Sequence, residues 1–93
     1  MVRIYIVGKV TGQENWKDKF IKAKKELEVY GYEIRTPIDY PEGLTQREYM
    51  VLSCENVFWA SRVVVTPGFE TSKGTAAEIA LARSIGTEVQ YIS

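Results

Sequence analysis

Arg62-Val63-Val64-Val65-Thr66, followed at once by Pro67-Gly68, is the stretch that decides the fold. Three consecutive valines are β-branched and favour a strand, and their lack of alternation predicts burial on both faces. Such a strand belongs in the middle of a parallel sheet, which requires helical crossovers on either side of it. The flanking sequence supplies them. Upstream, Thr45 with Glu48 three residues on forms a capping box, so a helix starts there, with Met50, Cys54, Val57 and Phe58 as its expected apolar face. Downstream, an alanine-rich helix is expected from about residue 75 to 85, closed by Gly86, its small side chains packing close to the sheet.

Further out, residues 87–92 alternate and read as a last strand, and residues 32–36 alternate up to Pro37 as a half-buried one. Residues 37–44, with two prolines and Gly43, read as a loop. Ahead of them, Asn15 is placed to cap a helix on which Trp16, Phe20, Ala23, Leu27 and Tyr30 recur at helical spacing before Gly31 stops it. Lysines and acidic residues fill the outer positions of that helix, as on a solvated face. Residues 2–7 form a first strand that ends at Gly8. The order is βαβαβαβ: an α/β protein with an open parallel sheet, a Rossmann- or flavodoxin-like three-layer sandwich with expected strand order 2-1-3-4. Ligands bind such sheets beyond the carboxyl ends of the strands, at the switch point between strands 1 and 3. The loops at residues 8–12 and 67–74 meet there.

Composition narrows the possible functions. The 93 residues fit one domain spanning 1–93, and 12 basic against 12 acidic residues leave no overall positive field for a nucleic-acid polymer. One cysteine, Cys54, and no histidine exclude an intrachain disulfide and a His/Cys metal cluster. Proton transfer must therefore use carboxylates, tyrosine, lysine or cysteine. The first strand is too short and too alternating for a signal peptide, and no apolar run approaches the roughly 18–20 residues of a membrane span. A soluble protein of a reducing compartment, the cytoplasm, is expected.

Two loops carry the candidate chemistry. Gly8-Lys9-Val10-Thr11-Gly12 is neither a phosphate-binding loop of the Walker type nor a dinucleotide fingerprint. It brings two glycines, a lysine and a hydroxyl to a strand end, which suits an anion cradle and equally suits a plain turn. In the second loop, Ser72 or Thr71 can cap the third helix and Gly74 lets a ligand approach its first amides. Glu78 then lies one turn into an apolar helix without an evident partner nearby in sequence. A carboxylate there either faces solvent or is held for a purpose.

Ile4-Tyr5-Ile6-Val7-Gly8-Lys9-Val10-Thr11-Gly12 together with Ser72-Lys73-Gly74-Thr75-Ala76-Ala77-Glu78-Ile79-Ala80-Leu81-Ala82 resembles the nucleoside 2-deoxyribosyltransferase superfamily. The resemblance is strongest to its small branches, the 2'-deoxynucleoside 5'-monophosphate N-glycosidases and a related group without established activity, and extends over residues 2–89. Tyr49-Met50 and Thr66-Pro67-Gly68-Phe69 match that last group. By this resemblance Glu78 is the glutamate that attacks the anomeric carbon of a deoxyribose, and Tyr5 hydrogen-bonds it. Ser72 falls at a phosphate-binding serine, and Gly8, Lys9, Thr11 and Gly12 match the loop facing phosphate and sugar. The physics is consistent, because a carboxylate beneath C1' captures the oxocarbenium-like centre left by a departing base.

The sequence departs from the family at two aspartate positions, where Ser53 and Arg62 stand. The first is the usual acid at the leaving base; Asp39 and Glu70 are the carboxylates available to replace it. Three readings stay open: cleavage or transfer at an N-glycosidic bond, non-catalytic binding of a nucleotide-like ligand, or a scaffold or interaction subunit, which would leave the pocket without purpose. The expected partner is a small nucleoside or nucleotide, with no metal, organic cofactor, nucleic-acid polymer or membrane. A homodimer or larger assembly is expected, with the last strand and the Phe58-Trp59 end as natural contacts. Trp16, Tyr40 and Tyr49 are candidates for the wall of a base pocket.

Overall fold

A computed structural model describes residues 1–12 and 14–92. Four parallel strands, β1 (Arg3–Val7), β2 (Glu33–Arg35), β3 (Arg62–Val65) and β4 (Glu88–Tyr91), form one sheet in the order β2-β1-β3-β4. Helices α1 (Trp16–Glu28), α2 (Gln46–Trp59) and α3 (Lys73–Ser84) connect them. The expected topology and strand order are therefore observed.

The valine run behaves as its pattern requires. Val63 and Val65 pack with Tyr5, Val7, Val57, Ile79 and Ala82 on the α2/α3 side of the sheet. Val64 packs with Ile4, Ile6, Phe20 and Ala23 on the α1 side. Successive strand residues point to opposite faces, so a strand covered on both sides shows no alternation in sequence. The same geometry puts Tyr5 on the face covered by α2 and α3, in register with Val63.

Several local expectations needed correction. Asn15 occupies the N-cap position of α1 without a side-chain capping bond, and α1 ends at Glu28, so Tyr30 lies beyond it, exposed and stacked on Tyr32. The segment after β2 contains a 3₁₀ turn, Pro37–Asp39, capped by the Thr36 hydroxyl. Helix α3 starts at Lys73 because Ser72 caps it, accepting from the Thr75 amide at 3.2 Å. Its Ala82 is buried, but Ala76, Ala77 and Ala80 are exposed rather than against the sheet.

The largest difference concerns α2. Its capping box forms as expected, with Thr45 and Glu48 bonded in both directions. Its buried face, however, is Ser53, Asn56 and Val57, while Phe58 is 62% exposed and Val51 54%. A helix buried through serine and asparagine must satisfy those groups with partners, and here it does so around Tyr5.

Candidate active site

Beyond the carboxyl ends of β1 and β3 lies a cleft of about 670 Å³. Its walls are the loop after β1, the start of α2, and the turn leading into α3. Gly8, Lys9, Thr11, Ser72 and Gly74 all line it, and Glu78 lies at its inner end. A second hollow of about 340 Å³ adjoins it through Val10, Leu44 and Tyr49, with Trp16, Tyr40 and Glu42 among its walls.

Glu78 sits on the inner face of α3, 2% exposed, and its Oε2 has no hydrogen-bond partner among the described residues. Burial pushes its pKa from 4.5 up to about 7, against an opposing hydrogen-bond contribution from Tyr5. The buried Tyr5 hydroxyl makes two short contacts of its own, donating to Ser53 Oγ at 3.1 Å and meeting the Tyr40 hydroxyl at 2.9 Å. Tyr40 and Ser53 are in turn 3.2 Å apart, which closes a triangle of three hydroxyls. Asn56 Nδ2 donates to Tyr40 at 2.9 Å, and Arg35 orients Asn56 through its Oδ1 at 3.2 Å. Tyr5 has one proton to offer and three oxygens in competition for it. Desolvation, then the nearby Glu78 charge, pushes the Tyr5 phenol far above its usual range, so it stays protonated and serves as a donor.

The glycines have different roles. A side chain at Gly8 would collide with Thr66 Oγ1, whose hydroxyl donates to the Val7 carbonyl, so close packing demands glycine there. Gly12 has φ +80 and marks a turn, and it does not line the cleft. Gly74 has room for a β-carbon, its nearest neighbours being Met50 Sδ at 3.6 Å and Gln46 Nε2 at 3.7 Å. Lys9 reaches across the cleft to donate to Thr71 Oγ1 at 2.7 Å and so ties the two loops together. The Ser72 hydroxyl accepts from Thr75 Oγ1 at 2.9 Å as well as from its amide, leaving its own proton free to donate.

Four residues named from sequence fall elsewhere. Asp39 and Glu70 are exposed and line neither hollow, so neither stands in for a missing acid beside Glu78. Arg62 is at the amino end of β3, paired with Glu88 at 3.1 Å, away from the strand ends that form the cleft. Cys54, expected in the core, is part-exposed on the outward side of α2. Glu42 was missed: nothing in the loop pattern of residues 37–44 distinguishes it, and only the folded chain brings it beside Trp16 and Tyr49. Among the described residues no group of three His, Cys, Asp or Glu is placed to hold a metal ion, and no helix is long and apolar enough to cross a membrane.

Residues 2–91 match the family model described as a domain of unknown function, DUF4406. The chain belongs to the DUF4406 family. No curated protein matches it by sequence. Among solved structures, the CMP N-glycosidase BcmB of Clostridium botulinum superposes with a TM-score of 0.73 at 19% identity, over 96% of this chain and 69% of that one. A 2-deoxyribosyltransferase of Bacillus psychrosaccharolyticus gives 0.74 at 20% identity, over 96% and 70%. A conserved protein of Enterococcus faecalis V583 gives 0.73 at 18% identity, with 98% of this chain spanning 62% of that one. At such identities the likeness establishes a shared fold. This DUF4406 chain thus has the α/β architecture of nucleoside deoxyribosyltransferase and N-glycosidase structures.

Proposed function

We propose that the cleft binds a 2'-deoxynucleoside or its 5'-phosphate and that Glu78 attacks the sugar at C1'. The observation that carries this reading is Glu78 itself. A buried carboxyl with an unpartnered oxygen destabilises the fold when ionised, and it lies at the inner end of an otherwise open cleft. With the sugar over Glu78, the phosphate falls to the first amides of α3, the Ser72 hydroxyl, Lys9 and Lys73. The base falls toward Tyr49 and the second hollow, where Trp16 and Tyr40 offer aromatic surface.

In this mechanism a carboxylate oxygen of Glu78 forms a bond to C1' as the N-glycosidic bond breaks. Its electron pair leaves with the base, which takes up a proton. Water or a second base then attacks C1' and returns Glu78 as a carboxylate. Tyr5 donates to the carboxylate oxygen that does not attack. Glu42 is a carboxylate lining the second hollow on the base side, where it can relay a proton from solvent to the departing base.

The other reading is binding without turnover, and one observation favours it: no second carboxylate lines the cleft beside Glu78 among the described residues. A panel of deoxynucleosides and their monophosphates, read by chromatography and melting shift together, separates the two. Free base released by the wild type and not by Glu78→Ala supports the enzyme. Thermal stabilisation without release supports the binder. No response to any member of the panel overturns both.

A further inference from the structure

The outward side of α2 is apolar and uncovered. Met50, Val51, Cys54 and Phe58 form a stripe along it, bounded by Arg47 toward the start of the helix and Glu55 toward the end. Phe58 and Val51 are more than half exposed, although α2 buries serine and asparagine on its inner side. Large apolar side chains gathered on one exposed helix face signal a contact surface rather than scattered surface residues. Ala77, three residues on from Gly74 and so on the side of α3 that meets Met50, is also exposed and widens the strip.

The charges identify the occupant. Arg47 and Glu55 lie four residues to either side of Val51, about 12 Å apart along the helix axis. Among the described residues neither forms an ion pair within the chain. A face carrying a positive charge at one end, a negative one at the other and an apolar middle is complementary to itself when reversed. That is the requirement for a two-fold contact, in which residue i meets j and j meets i.

We propose that this face of α2 docks on the same face of a second copy of the chain, antiparallel and two-fold related about Val51, with Arg47 of each copy opposite Glu55 of the other. The same register carries Phe58 of the second copy toward Leu44 and Gln46 of the first. Those two residues line the cleft that holds Glu78, so the second copy extends its rim. A lone helix stripe is smaller than the roughly 800 Å² per partner of a standard interface, and a dimer of moderate affinity is expected.

Sedimentation of the full chain over a concentration series, without nucleotide, tests the contact independently of the chemistry of the cleft. The wild type should dimerise. Arg47→Glu and Glu55→Arg should each weaken the dimer by about tenfold or more, since each sets like charges opposite one another twice. The double charge swap R47E/E55R should restore association to within about threefold of wild type, because the pairs re-form with reversed sign. Phe58→Asp should leave a folded monomer by circular dichroism. A wild type that stays monomeric up to about 1 mM overturns the proposal. So does a dimer indifferent to Phe58→Asp, or a double swap no better than the single ones.

Discussion

At the scale of single residues, Glu78 sets the pH behaviour of both function and fold. As a nucleophile it must be ionised, so kcat/KM should rise with pH through about 7, the value to which burial pushes it. Stability should move the other way. Between its unfolded value of 4.5 and its folded value of about 7 the native state holds a proton that the unfolded chain has released, so stability falls as pH rises through that window. Above it the loss reaches up to about 3 kcal/mol, at 1.36 kcal/mol per pH unit. Glu78→Gln removes this penalty, and its melting temperature relative to wild type should climb between pH 4.5 and about 7 and level off above. Flat parallel curves for the two proteins would show that the carboxyl titrates as it does in water. Ser53→Ala tests the hydroxyl triangle. It removes one of the oxygens competing for the Tyr5 proton, at a cost of about 1 kcal/mol in stability. With Tyr5 freer to donate to Glu78, the carboxyl resonance in carbon NMR should titrate at lower pH. An unchanged midpoint would mean that Ser53 serves packing alone.

At the scale of elements, the strands were readable from sequence because each answers to one simple rule. The valine run is covered on both faces, the outer strands alternate, and Gly8 and Pro67-Gly68 end β1 and β3 where they should. Helix α2 misled because apolar periodicity shows which side is greasy without showing what that side meets. Ser53 and Asn56 turn inward, since the triangle with Tyr5 and Tyr40 and the bond from Arg35 satisfy them, and such partners, 13 to 48 residues away, leave no mark at helical spacing. Glu78 was legible for the opposite reason: a carboxyl among alanines and isoleucine is a local anomaly. The glycine loops were legible as loops, but the reason for each glycine needed coordinates. Gly8→Ala forces a β-carbon onto Thr66 and should destabilise the protein by about 1–3 kcal/mol. Gly74→Ala meets only ordinary contacts within the first turn of α3 and should stabilise it by up to about 1 kcal/mol. If α3's first amides hold a phosphate, the same methyl group should weaken nucleotide binding. Urea unfolding with and without a deoxynucleoside monophosphate reads both effects, and a Gly74→Ala protein that binds unchanged would move the phosphate away from those amides.

At the scale of the whole molecule, a chain of zero net charge still has a polar end. The β2-β1-β3-β4 order carries the loops after β1 and β3 to the same edge, and with them Lys9, Lys73 and the amino end of α3. Lys9 is held there by Thr71, a neutral partner, and among the described residues it forms no ion pair, which leaves its charge available to an anion. The opposite edge is neutralised by pairs, Arg3 with Glu33 at 3.4 Å and Arg62 with Glu88 at 3.1 Å. This asymmetry predicts that a 5'-phosphate, not the base, dominates ligand affinity. A deoxynucleoside monophosphate should therefore raise the melting temperature more than its parent nucleoside. The difference should shrink as salt is raised, because charges at a partly open cleft are screened over about 8–10 Å. Lys9→Met should lower monophosphate affinity by about tenfold, the loss of one charged hydrogen bond, and leave nucleoside affinity within about twofold. Equal losses for both ligands would reassign Lys9 to holding the two loops together. Equal stabilisation by nucleoside and monophosphate in the wild type would place the determinants of binding in the aromatic hollow around Trp16 and Tyr49.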